Sequence, residues 1–182
     1  PPLFAVLASW GKGDCSTYDF TVINSAVTTR SCSGGTIFYP PQKTFMVSAA
    51  IPFRSNIWHV GAGWSSVVKS RSGSVDNVFG EASPSAVSTN VAIMNLAIDG
   101  NRANVAYSAS GDDAYQNAVR LNQVSNSRII NCYIHDSVMN AVSIHNASND
   151  NVVAFNRIED VGKSTAAPGA ATYIGVFLES GV

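Results

Sequence analysis

Residues able to move a proton recur at matched places of a short repeat. Arg120 and Asn122 stand in Val119-Arg120-Leu121-Asn122, Ser143 and His145 in Val142-Ser143-Ile144-His145, and Phe177 and Glu179 in Val176-Phe177-Leu178-Glu179. If the three segments are stacked strands, period-2 alternation sends Val119/Leu121, Val142/Ile144 and Val176/Leu178 inward and the residues between them outward. One outward column is then Arg120, Ser143 and Phe177, and the next is Asn122, His145 and Glu179, with neighbours about 4.8 Å apart. Such a set can take a proton from a carbon next to a carboxylate. Arg120 or Asn122 would hold the carboxylate by hydrogen bonds, with Ser143 beside them, and His145 would be the base. Glu179 would raise the basicity of His145 and orient its ring. A register slip of one residue would bury Arg120 and Glu179, a cost that argues for this register. The competing reading is that a solvated face is polar by default and His145 is an ordinary cross-strand pair.

Asp112-Asp113, just before the strand at Asn117, is a second acidic candidate for substrate binding. Two carboxylates about 5 Å or about 6.5–9.5 Å apart would serve a retaining or inverting hydrolase, and several oxygen ligands would serve calcium. A solvated loop after Ser108-Ala109-Ser110-Gly111 is the simpler explanation of the pair. Cys15, Cys32 and Cys132 lack the spacing of a zinc site, so no metal ligand set is assigned.

The elements that must position these residues follow from the repeat. Asn117-Ala118-Val119-Arg120-Leu121 returns as Asn140-Ala141-Val142-Ser143-Ile144, an offset of 140 − 117 = 23 residues. Each copy is followed by a second apolar run, Ile129-Ile130 and then Val152-Val153. A coil of this length with short strands and no helical stripe predicts an all-β parallel β-helix. Charged residues at 13% and hydrophobics at 46% of 182 residues suit strands joined by tight turns in a single domain.

Residues 1–50 read as an N-terminal cap with the first coils, and 51–182 as rungs. Asp19 is the expected N-cap of a short helix from Phe20 to Thr29, lying across the open end of the solenoid. Cys15 and Cys32 flank that helix, so a disulfide and two separate buried thiols both stand, while Cys132 reads as core. Asn95, Asn131 and Asn156 read as a structural ladder at a turn, Gly61-Ala62-Gly63 as a tight corner, His59 as a rung residue and His135 as a turn residue. Trp58 and Trp64 are candidates to stack on sugars, one of them packed under the cap. The Gly162–Thr172 stretch is a corner insertion able to wall a groove, and Asn146-Ala147-Ser148 forms a glycosylation sequon.

Net charge of −1 without a basic run gives nucleic acid no electrostatic footing, and no run of about 20 apolar residues predicts membrane insertion. No signal peptide opens the sequence, which starts at Pro1 and stops at Val182 just after a new strand begins; a truncated C-terminus is the expectation.

Gly11-Lys12-Gly13-Asp14-Cys15-Ser16-Thr17-Tyr18-Asp19, then Ser33-Gly34-Gly35-Thr36-Ile37-Phe38-Tyr39-Pro40-Pro41 and Phe45-Met46-Val47, resemble the N-terminal signature of the pectate lyase superfamily. Cys15 stands where the family has Gly, Tyr18 where it has Asp, Lys43 where it has Gly, and Phe45 where it has Tyr. Ser55–Gly63 and Val91–Asn101 extend the similarity over most of the chain. The resemblance implies a right-handed parallel β-helix acting on, or attached to, acidic polysaccharide. Lyases, hydrolases, uronate epimerases and phage tailspikes all share this opening. The proton-transfer set above would then work at C5 of a uronate. Of the epimerases' Asp-Pro-His-Glu motif, only His145 is matched in Ser143-Ile144-His145-Asn146, and polygalacturonase motifs are absent. The leading expectation is a secreted or surface enzyme on a uronate-containing glycan. The alternatives are a tailspike or adhesin, a homotrimer with exposed apolar residues along one flank, and a purely structural solenoid.

Overall fold

The computed structural model describes residues 4–6, 11–74, 76–81, 83, 85–105, 116–162 and 175–178. It is a right-handed parallel β-helix, with strands that visit three sheets in turn. The first coil holds β1 (Phe4–Val6), β2 (Asp14–Tyr18) and α1 (Phe20–Arg30). The second holds β3 (Gly35–Tyr39), β4 (Lys43–Val47) and β5 (Ile51–Pro52). The third holds β6 (Ile57–Gly61), β7 (Ser66–Ser70) and β8 (Phe79–Gly80), followed by the short β9 (Ser88–Thr89). The fourth holds β10 (Ala92–Met94), β11 (Ala97–Asp99) and β12 (Val119–Asn122), followed by β13 (Val124–Ser125). The fifth holds β14 (Arg128–Ile130), β15 (Tyr133–His135) and β16 (Val142–His145), and the last β17 (Val152–Ala154), β18 (Arg157–Glu159) and β19 (Val176–Leu178).

The first sheet stacks β1-β3-β6-β10-β14-β17, the second β2-β4-β7-β11-β15-β18, and the third β5-β8-β12-β16-β19. Inward positions form buried columns: Ile37, His59, Ile93 and Ile129 on the first sheet, with His59 the polar member, and the apolar Phe45, Val68, Ile98 and Ile134 on the second. The expected inward pairs Val119/Leu121 and Val142/Ile144 are buried as well, whereas Val176 and Leu178 keep the register but are exposed at the last described strand of their sheet.

In every later coil a strand of the third sheet follows the second; in the first coil α1 takes that place and packs on β3, β4 and β5. Ile23, Ala26 and Val27 are fully buried there, and a buried Ile or Val side chain stabilises by about 1.5–3 kcal/mol. The helix thus completes the third side of the first coil, a more specific placement than a lid across its end. Asp19 precedes the helix without capping it by its side chain. Its carboxylate instead accepts the Lys12 and Gly13 amides at 2.8 and 3.2 Å, tying down the preceding turn.

Corners require φ > 0, which Asn tolerates best among side chains with a Cβ. Asn56, Asn90, Asn95 and Asn131 are all in this region. Their amides form ladders, Asn90 donating to Asn56 and Asn131 to Asn95, each at 2.9 Å. Asn156 does not join the stack: the next corner position is Phe155 at φ 57, and Asn156 bonds the Cys132 amide and the Ile129 carbonyl instead. At the Asn95–Asn131 corner, a Cβ on Gly61 one coil earlier would meet the Asn95 carbonyl at 2.3 Å, which explains the glycine. The repeat lengthens after β16, where Arg128 pairs with Val152 at 152 − 128 = 24, because Asn146 and Ala147 are both at positive φ.

Cys15 and Cys32 are free, exposed thiols, so neither the disulfide nor the buried pair is formed, and Cys132 is in the core. His59 points inward, fully buried, with Nδ1 3.0 Å from the Tyr39 hydroxyl. Trp58 and Trp64 are both exposed, neither packed under the helix. The expected corner insertion falls almost wholly outside the described residues.

Candidate functional site

The third sheet assembles the expected columns. Arg120 pairs with Ser143, Ser143 with Phe177, and Asn122 with His145. Burial differs from expectation: Arg120 is 2% exposed, Asn122 3%, Ser143 1% and His145 8%. The outward side of these strands is therefore a covered polar seam and not a solvated groove. Glu81, which follows β8, closes it. Its Oε1 accepts from Arg120 Nη1 at 2.5 Å and from Asn122 Nδ2 at 3.4 Å. The Ser143 hydroxyl and His145 Nε2 are hydrogen-bonded to each other, and Asn146 donates to Asn122 at 2.9 Å.

Arg120 is thus matched charge for charge by a carboxylate as buried as itself, which is what a guanidinium needs once it leaves water. A substrate carboxylate would have to displace Glu81 to reach it. Sequence reasoning missed Glu81 because Phe79 pairs with Val119 across 119 − 79 = 40 residues, far from the 23-residue period. Glu179, Asp112 and Asp113 lie outside the described residues.

The second sheet presents a different cluster on its outer side. Inward Ile98, Ile134 and Ile158 alternate with two outward columns: Ala97, Tyr133 and Arg157, and Lys69, Asp99, His135 and Glu159. His135 is thus a strand residue on β15, not a turn residue. Its ring lies 4.4 Å from that of Tyr133 at 23°, and the Trp64 ring is 5.5 Å from Tyr133 on the other side. Trp64 is anchored by its Nε1, which donates to the Asn131 carbonyl at 3.0 Å. Arg157 sits over the Tyr133 ring at 5.3 Å.

Polar contacts fix every member of this strip. Tyr133 donates its hydroxyl to Glu159 Oε2 at 2.9 Å, and Arg157 Nε donates to Glu159 Oε1 at 2.7 Å. These bonds hold the Glu159 carboxyl below its usual range, Arg157 contributing most, and the bond to Glu159 pushes the Tyr133 hydroxyl up. Tyr133 therefore stays protonated at neutral pH. His135 Nδ1 is 2.9 Å from Asp136 Oδ2. An ionised carboxylate only accepts, so Nδ1 carries the hydrogen and Nε2 is the basic nitrogen of the neutral ring. Lys69 Nζ donates to Asp99 at 2.6 Å.

Asp99, His135 and Asp136 bring ligand atoms within 4.8 Å of one another. Calcium does not fit this set. Lys69 already compensates Asp99, Arg102 lies 3.4 Å from Asp136, and a calcium ion seeks six to eight oxygens, not an imidazole nitrogen.

No known family matches the chain, and no curated protein does. Solved structures do. The pre-mature gene product 12 of bacteriophage phi29 aligns with a TM-score of 0.68 and 20% identity over 79% of this chain. ORF18 of Geobacillus virus E2 aligns at 0.59 and 23% over 82%, and the A-module of the Azotobacter vinelandii mannuronan C-5 epimerase AlgE4 at 0.58 and 21% over 85%. At these identities the likeness is one of fold, and the class it defines is the parallel β-helix. The chain spans 19% of the phi29 protein, 31% of the Geobacillus virus protein and 51% of the epimerase module.

Proposed function

We propose that the chain is a carbohydrate-active β-helix that lays a uronate-containing polysaccharide along the outer face of its second sheet and works on the C5 proton there. The observation that carries this reading is the Tyr133–His135 stack between the Lys69–Asp99 and Arg157–Glu159 pairs. Trp64 and Tyr133 give a pyranose ring an aromatic surface, and Lys69 and Arg157 supply the hydrogen-bond donors that a uronate carboxylate needs as C5 is deprotonated. His135 Nε2 takes the C5 proton, leaving the electron pair delocalised into the carboxylate as an enolate. If water returns a proton to C5 from the face opposite His135, the product is the epimer. If the pair instead expels the C4 oxygen, which takes the Tyr133 proton, the product is an unsaturated uronate. The fold it shares with a mannuronan C-5 epimerase module favours this chemistry over hydrolysis. Such a protein acts outside the cell or on a virion surface.

The test is incubation with a panel of uronate polymers, following C5 exchange in deuterated water, the ultraviolet absorbance of unsaturated uronate, and reducing ends. Exchange alone means epimerisation, and exchange with absorbance means elimination. Reducing ends alone mean hydrolysis and overturn the C5 reading. Binding without any of the three places the chain with tailspikes and adhesins, and no binding leaves a structural solenoid.

A further inference from the structure

The outer face of the second sheet twice sets an aromatic ring under a guanidinium. On the reading of this face as the track of a uronate polymer, we infer that the second instance, Tyr18 with Arg71, is a distal binding site for the same glycan, several sugars from the one that reacts. Tyr18 ends β2 and is 54% exposed. The Arg71 guanidinium lies 5.7 Å from the centre of its ring, as that of Arg157 lies 5.3 Å from the centre of Tyr133. The register puts both on one face: Tyr18 pairs with Met46, Met46 with Lys69, Lys69 with Asp99 and Asp99 with His135. Tyr18 is thus four strand spacings, about 19 Å, from His135 along the axis.

The two cations differ in what holds them. Arg157 is taken by Glu159, whereas Arg71 forms no ion pair among the described residues and its Nε is buried without a hydrogen-bond partner. Leaving a buried donor unmatched is costly, and a ligand that supplies an acceptor removes that cost. A uronate suits both halves of the pair: its C–H surface can pack against the exposed Tyr18 ring, and its carboxylate can take the planar donor fork of Arg71. Asp14, the acidic residue of β2, does not take Arg71; its carboxylate accepts from the Ser16 and Thr17 amides and the Thr17 hydroxyl. A pyranose spans roughly one strand spacing, so about four sugars bridge Tyr18 and His135. Contacts that far from C5 are the same in ground and transition state, so they lower KM for long chains and leave kcat alone.

Calorimetric titration of the unaltered chain with oligouronates of defined length, from three to eight sugars, should show affinity rising once the oligomer is long enough to reach Tyr18. Tyr18→Ala and Arg71→Gln should each weaken binding of the eight-sugar oligomer at least about fivefold. Both should leave unchanged the three-sugar oligomer, which spans only the Trp64–Tyr133 platform. Tyr18→Phe, which keeps the ring, should bind as the unaltered chain does. No length preference, a length preference indifferent to both substitutions, or an equal loss for short and long oligomers in variants with unchanged circular dichroism overturns the distal site while the track survives. No binding at any length overturns the track and the distal site with it.

Discussion

Tyr133 and His135 are two residues apart on β15, so their side chains leave the strand on the same side and their rings stack at 4.4 Å. The alternation that buries Ile134 between them is what sets a proton donor beside a proton acceptor on the outer surface.

Substitution of either ring separates chemistry from folding. His135→Ala and Tyr133→Phe should each lower kcat on a responsive uronate polymer by about 10²-fold or more, the usual scale for a lost general acid or base. Neither side chain is in the core, so the urea midpoint should correspond to a change within about 0.5 kcal/mol for Tyr133→Phe.

Breaking the buried pair of the third sheet should do the opposite. Glu81→Ala removes the buried carboxylate that Arg120 Nη1 bonds, at a cost of about 3–5 kcal/mol in equilibrium unfolding. The double substitution Arg120→Met with Glu81→Leu should recover most of that loss. Equal losses in single and double variants would count against an ion pair held for charge balance.

His59 makes stability fall in acid. Burial pushes its pKa down to about 3, against about 6.5 in the unfolded chain, so below pH 6.5 the unfolded state binds the extra proton. Stability present above 6.5 is lost as pH drops toward 3, by up to about 1.4 kcal/mol per unit. Replacing the hydrogen-bonded pair together, Tyr39→Phe with His59→Leu, should flatten that slope, measurable as urea midpoints at pH 7 and pH 5.

The Asp99–His135–Asp136 cluster should not hold calcium. With Lys69 and Arg102 already facing Asp99 and Asp136, Asp136→Asn is expected to leave any response of the thermal midpoint to calcium or EDTA unaltered; a calcium response that disappears in Asp136→Asn would refute this.

The fold was readable because repetition amplifies a weak signal. Asn117–Leu121 and Asn140–Ile144 gave the strand register of β12 and β16 to the residue, and alternation placed Val119, Leu121, Val142 and Ile144 in the core. The carboxylate partner of Arg120 was not readable, because Glu81 is brought to it across a coil that breaks the period. In sequence His135 reads as a turn residue because it stands beside Asp136; in the fold it ends the three-residue β15, and Asp136 at positive φ begins the turn. The signal that finds it is the alignment of Tyr133-Ile134-His135 with Arg157-Ile158-Glu159, 24 residues on.

The measurement that bears most directly on the central claim is C5 hydrogen exchange of uronate polymers in deuterated water, comparing the unaltered chain with His135→Ala at matched folded fraction. Exchange by the unaltered chain that falls about 10²-fold or more in His135→Ala is the predicted result. Exchange that survives the substitution, or is absent with every polymer in the panel, would contradict an active site on the second sheet.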